Sequence, residues 1–170
     1  MPKDNKDELF YWVDEDDNVL GSVRREEANS NPQKIHRAVQ IVLINEKNQT
    51  LMQKRSLGKD SFPGFWTVSA SGHVDYGEES DLTAQRELEE EIGLRGVMLE
   101  YKGKHILHMK NETEFEFLYL GRTDQTPSTL DKNEVSEVAW IDLNKLPQFI
   151  KDDKVTPAAI ETYRALGYLD

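Results

Sequence analysis

Cysteine is absent from the 170 residues, which excludes disulfides, thiolate metal sites and a cysteine nucleophile. Long apolar runs are missing too. The longest, around "VQIVLI", is far too short to cross a bilayer, and the opening "MPKDNKDELF" has no apolar core of the kind a secretory signal needs. Basic residues are in deficit: 21 Lys and Arg stand against 32 Asp and Glu, for a net charge of −11. That balance argues against duplex nucleic acid as a partner, because such binding rests on neutralising phosphates. A phosphorylated small molecule stays open if a few cations or a metal ion are focused locally. There is no repeat, linker or low-complexity segment, and 37% hydrophobic residues over this length suffice for one sizeable core. The expectation is a single soluble domain over residues 1–170, in the cytoplasm and off the membrane.

What is present reads as an α/β pattern. "LFYWV" and "VLGSV" flank "DEDDN" as a hairpin, followed by the polar connection "REEANSNPQK". "HRAVQIVLIN" is a β-branched run suited to a buried strand, with "TLMQKRS" expected as its partner across "EKNQ". "WTVSASGH" reads as a further strand, then a helix from Ser80 to Ile92 stopped by Gly93. "VMLEYKGKHILHMK" and "TEFEFLYLGR" read as neighbouring strands and "EVSEVAWID" as another. "LNKLPQFI" and "TPAAIETYRALGYL" close the chain as a short and a longer helix, with Pro157 at an N-terminus. The "DEDDN" turn fails a calcium-loop test. Counted from Asp14, the sixth and twelfth places hold Val19 and Arg25 where Gly and Glu are needed. It reads as a solvated turn.

The helix carries a physical cost. Glu87, Glu89, Glu90 and Glu91 crowd its last turns, where like charges repel and the helix end prefers cations. At about 100° per residue, Glu87, Glu90 and Glu91 share one face, Ala84, Leu88 and Ile92 the next, and Glu89 points away. Three converging carboxylates suit a hard divalent cation, Mg²⁺ or Mn²⁺, which would offset the repulsion and could carry substrate phosphates. Arg86 cannot be a ligand, and its expected task is to hold a carboxylate in position.

"GHVDYGEESDLTAQRELEEEIGL", residues 72–94, resembles the Nudix box. That pattern is Gly, five residues, Glu, seven residues, Arg-Glu, an apolar residue, any residue, Glu-Glu, any residue, Gly and an apolar residue. Gly72, Glu78, Arg86, Glu87, Leu88, Glu90, Glu91, Gly93 and Leu94 fill every fixed place, and a chance match is on the order of one in 10⁹ at a given start. The resemblance implies a metal-binding loop, helix, loop in an α/β/α sandwich with a mixed sheet. It also implies cleavage, by water attack at phosphorus, of a nucleoside diphosphate linked to a group X. By position, Glu87, Glu90 and Glu91 would be metal ligands and the Gly72 carbonyl another. Glu78 and Arg86 would support the helix. The metal would neutralise diphosphate oxygens and activate water, and a carboxylate must accept the proton. Glu91, Glu112, Glu114 and Glu116 are the candidates.

Beyond the box, "VDEDDNVLGSVRREEANSNPQKIHRAV", "QKRSLGKDSFPGFWTVSASGHV" and "KNETEFEF" resemble the Nudix-fold isopentenyl-diphosphate isomerases and their hydrolase relatives. The departures favour hydrolysis over isomerisation. Ser71 stands where the isomerases have their catalytic cysteine, and Ala158 where an aromatic residue faces the carbocation. Two places of the isomerase metal site hold Asn29 and Lys110, while His36, His73 and Glu112 match. The box is complete, which also argues against a non-catalytic nucleotide-binding module.

Arg55 and Lys59 lie in "KRSLGK", which resembles the diphosphate-contacting segment of that branch. Their bland reading is solvated loop cations. His36 and His73 read as remnant ligands or as structural histidines with satisfied hydrogen bonds. Phe62, Phe65 and Tyr76 are placed to stack on a base, Trp66 belongs more to the core, and Trp140 is assigned to it. Many relatives are dimers, and a homodimer and a monomer are both consistent with the sequence.

Overall fold

The computed structural model describes residues 5–170; Met1–Asp4, the first part of the opening segment, lie outside the described residues. Among the described residues nine strands join into one mixed sheet. β1 (Leu9–Val13) and β2 (Val19–Arg24) form the expected hairpin. Its turn is only partly solvated. Asp14 accepts from the backbone N–H groups of Asp16 and Asn18, and Asp17, with φ 64°, sinks its carboxylate between Arg37 and Lys104 at 2.7 Å each. The polar connection that follows contains a one-turn helix, α1 (Arg25–Ala28).

β3 (His36–Ile44) is the axis of the fold, and its alternation serves two cores. Val39, Ile41 and Leu43 pack on one side with Ala84, Leu88 and Ile92 of α2 (Ser80–Ile92). Val42 and Ile44 pack on the other with Leu146 of α3 (Leu146–Asp152) and with Ala159 and Tyr163 of α4 (Pro157–Ala165). Each such side chain withdrawn from water contributes roughly 1.5–3 kcal/mol. The expected sandwich of helices about a mixed sheet is therefore present. Thr156 caps α4 through its hydroxyl, with Pro157 at N1.

The strand pairing departs from expectation. β4 (Gln49–Arg55) meets β3 at one register pair only, Ile44 with Thr50. Its long partner is β9 (Val135–Asp142), with Leu51 opposite Trp140. The reason lies in "WTVSASGH", which is two strands. β5 (Trp66–Thr67) pairs with β4, and β6 (Ala70–His73) with β3. The segment crosses between them at Ser69, whose buried hydroxyl accepts from the Leu43 N–H at 2.9 Å and donates to the Leu51 carbonyl at 2.6 Å. That hydroxyl satisfies two backbone groups that the splayed strands can no longer give each other. On the far side β3 runs parallel to β8 (Thr113–Arg122), which pairs with β7 (Leu99–His108). Trp140 lies against the core but stays half-buried. No helix among the described residues is long and apolar enough to cross a membrane.

Candidate active site

The helix α2 has the bounds that the acidic segment predicts, and Gly93 ends it in the left-handed conformation at φ 71°. Arg86 organises the acidic face. It makes two bonds to Glu78, Nε and Nη2 each at 2.9 Å, and Nη1 donates to Glu87 at 2.8 Å and to Glu90 at 3.1 Å. Its guanidinium is raised above its ordinary pKa, chiefly by the Glu78 bonds, and the same bonds hold Glu78 below the usual carboxylate range. The planar fork suits this bridging.

Glu87 leans over β6 at Gly72, where a Cβ would stand 2.4 Å from its carboxyl carbon. Only glycine leaves that space. Glu91 is buried, and one of its oxygens accepts from the Ser71 N–H and from Gln53 Nε2, each at 3.0 Å. Glu90 is 55% exposed at its side chain and completes the row. Burial pushes Glu87 well above its ordinary range, with the charge of Glu91 adding to it. Burial likewise raises Glu91 to about 7, against the bond from the Ser71 N–H. These carboxylates therefore lack the positive charge that would let them all ionise. A divalent cation would supply it, and all-oxygen donors suit Mg²⁺ or Mn²⁺.

A test in solution follows from the sign of these shifts. A carboxyl whose folded pKa is raised binds its proton more tightly folded than unfolded, so its help to stability is lost as pH rises. For Glu91 the window runs from 4.5 to about 7, and Asp75, raised to about 6 by burial and by Glu8, adds to it. His73 and His105, lowered by burial, act in the opposite sense below 6.5, so the test is the difference from Glu91→Gln. The wild-type melting temperature in chelator is expected to fall across that window relative to the variant, and excess Mg²⁺ or Mn²⁺ to suppress the fall. A wild-type curve in chelator that does not fall relative to Glu91→Gln would contradict the cluster's charge state.

A cavity of about 300 Å³ opens over this face. Gly72, Glu87, Glu90 and Glu91 line it, as do Arg55, Lys59, Phe62 and Glu112. Arg55 is turned to Ser61, its Nε donating to the carbonyl at 3.0 Å, and Lys59 Nζ donates to Glu134 at 2.5 Å. Phe62 and Phe65 meet edge to face at 5.3 Å, while Tyr76 is half-exposed and packs on Tyr11 instead. Trp66 packs with Phe149 against the second core. Glu116 is fully buried outside the cavity lining, facing His105 at 3.2 Å, and burial with the Glu114 charge pushes it well above its usual range.

Beside the box lies a second cluster. His36, His73, Glu112 and Glu114 each bring a ligand-type atom within 4.8 Å of the others. His36 Nδ1 faces the Lys34 carbonyl at 3.1 Å, which leaves Nε2 aimed at Glu112 and Glu114 at 3.5 and 3.7 Å. Burial alone would lower His36, but the two carboxylates override it and raise it to about 9. Phe10 stacks on His73 at 4.4 Å and ties the hairpin to the site. The parallel register that sets His36 against Glu114 brings Glu114 into the group. Asn29 and Lys110 line a neighbouring chamber of about 450 Å³, which shares Arg25, Phe62 and Glu112 with the first.

Sequence reasoning missed Asp131 and Glu134, which line the cavity from the turn before β9. The Asp131 N–H donates to the Glu91 carbonyl at 3.0 Å, fastening this turn to the end of α2. The local signal is a polar "DKNE" turn, indistinguishable from any solvated loop.

The sequence profile of the NUDIX domain family matches residues 34–166. The chain is 35% identical over 158 residues to a prenyl-diphosphate phosphatase of Methanosarcina mazei, covering 90% of this chain and 91% of that one. It is 32% identical over 150 residues to isopentenyl-diphosphate Delta-isomerase 2 of Photorhabdus laumondii, covering 86% and 84%. Among solved structures, DR0079 of Deinococcus radiodurans superposes with a TM-score of 0.79 at 24% identity, over 93% of this chain and 99% of that one.

Proposed function

The chain belongs to the Nudix family, in its isopentenyl-diphosphate-isomerase-like branch, and we propose that it cleaves the diphosphate linkage of a nucleoside diphosphate derivative by water attack at phosphorus. It is a hydrolase of diphosphate bonds, and enzymes of this family generally use divalent metals. In our reading Glu87, Glu90 and Glu91, with the Gly72 carbonyl, hold Mg²⁺ or Mn²⁺. The observation that carries it is the placing of three carboxylates, Glu91 buried, Glu87 half-buried and Glu90 exposed, on the wall of one cavity.

When bound, the cation supplies positive charge for the diphosphate and acidity for its water. The chain's own groups do the rest. Arg86 fixes Glu87 and Glu90 in direction, Gln53 and the Ser71 N–H fix Glu91, and Arg55 offers a guanidinium to phosphate oxygens. Phe62 offers a ring face to a base.

A second reading, a prenyl diphosphate as substrate, is favoured by the relative from Methanosarcina mazei. The largely polar cavity lining suits a hydroxylated nucleoside better than a prenyl chain. Isomerisation is disfavoured by Ser71 and by Ala158, which lines the cavity where the isomerases set an aromatic ring. The test is a panel of nucleoside diphosphates, their sugar and dinucleotide derivatives, and prenyl diphosphates including isopentenyl diphosphate, with and without Mg²⁺ or Mn²⁺. Metal-dependent release of a nucleoside monophosphate, faster than any prenyl cleavage, is expected. Preference for a prenyl diphosphate, or turnover of isopentenyl diphosphate to its isomer, would overturn the nucleotide reading.

A further inference from the structure

The attacking water must lose a proton, and the residues expected to take it are assigned to the cation or stand in other clusters. Glu87, Glu90 and Glu91 are assigned to the cation. Glu112 and Glu114 belong to the second cluster, 3.4–3.7 Å from the histidine pair, and Glu116 lies outside the cavity lining. Asp131 lines the cavity, but its Oδ1 accepts from the backbone and side-chain nitrogens of Asn133 within its own turn, at 3.1 and 3.3 Å.

Glu134 stands differently. Its side chain lines the same cavity and keeps 19% exposure, so water reaches it. It shares that lining with Glu87 and Glu91, and its charge is among those that raise them. Its backbone is held at both ends, the N–H donating to the Asp131 carbonyl and the carbonyl accepting from the Ser56 N–H, each at 2.9 Å. The turn is fastened to α2 through Asp131 and Glu91, and Lys59 Nζ grips one carboxylate oxygen at 2.5 Å. A carboxylate held in place by its neighbours is what proton transfer in a transition state needs.

We propose that Glu134 is the proton acceptor of the hydrolysis and that Lys59 is its positioning residue. This rests on the hydrolase reading above. A lone pair of the water oxygen forms the new bond to phosphorus, and the bridging P–O bond breaks, its electron pair leaving on the departing phosphate oxygen. The water proton passes to a Glu134 carboxylate oxygen, which becomes a carboxylic acid and later returns the proton to solvent or product.

The test compares the wild type with Glu134→Gln and Glu134→Asp. Mn²⁺ affinity is read by electron paramagnetic resonance, and binding of α,β-methylene-ADP by calorimetry. The kcat of Glu134→Gln is expected to fall on the order of 10²–10⁴-fold, with both affinities within about twofold of wild type and partial recovery in Glu134→Asp. Its log kcat should rise linearly with pH as bulk hydroxide takes over the proton's removal. A kcat within about tenfold of wild type, or Mn²⁺ affinity that falls together with kcat, would overturn the assignment. A wild-type protein that hydrolyses nothing in the panel would sink the hydrolase reading itself.

Discussion

Glu90→Gln is expected to lower turnover by on the order of 10²–10³-fold while leaving the melting temperature in chelator unchanged or slightly raised. The two effects separate because of where Glu90 sits. Its side chain is 55% exposed and buries no core surface, so the amide that replaces it disturbs no packing. Glu90 also adds to the repulsion that drives up Glu87, and removing its charge relieves the cation-free protein. The bond from Arg86 at 3.1 Å survives in weakened form, since an amide oxygen still accepts. What is lost is one negative charge facing the proposed cation site. Turnover within about threefold of wild type at saturating Mg²⁺ would remove Glu90 from the ligand set.

Gly72→Ala is the second large effect, and its cause is steric. The added methyl would stand 2.4 Å from the carboxyl carbon of Glu87 and 2.7 Å from both its oxygens, closer than any Cβ contact can be. Something must move, and the cheapest thing to move is the end of the Glu87 side chain. Gly72 itself lies in β6 and is paired with Val39, a position that alanine's backbone accepts. The variant should therefore fold with a loss of less than about 1–2 kcal/mol and yet bind Mn²⁺ about 10–100-fold more weakly. Activity should fall at least in proportion. Wild-type Mn²⁺ affinity in a correctly folded Gly72→Ala would show that Glu87 has no part in holding the ion.

Local regularities were legible, and long-range pairings were not. The convergence of Glu87, Glu90 and Glu91 and the end of α2 at Gly93 follow from one helix's own angles, so spacing alone placed them. The alternation of β3 likewise announced a buried strand. Its partners could not be read, because β4 looks like the second arm of a hairpin until Ser69 wedges the two strands apart. The same holds for the site's outer wall. Glu114 joins the histidines only through the parallel register of β3 and β8. Glu134 reaches the box only because β9 pairs with β4 and carries its preceding turn to the end of α2. The sense of the "DEDDN" turn was right, yet the burial of Asp17 depends on Arg37 and Lys104, 20 and 87 residues away.

We assign the acidic face of α2 to holding a divalent ion over Gly72. The most direct measurement is an anomalous-scattering map from a crystal soaked in Mn²⁺. A peak bounded by the carboxylates of Glu87, Glu90 and Glu91 is expected. A map without a peak there, or with one only among His36, His73, Glu112 and Glu114, would contradict it.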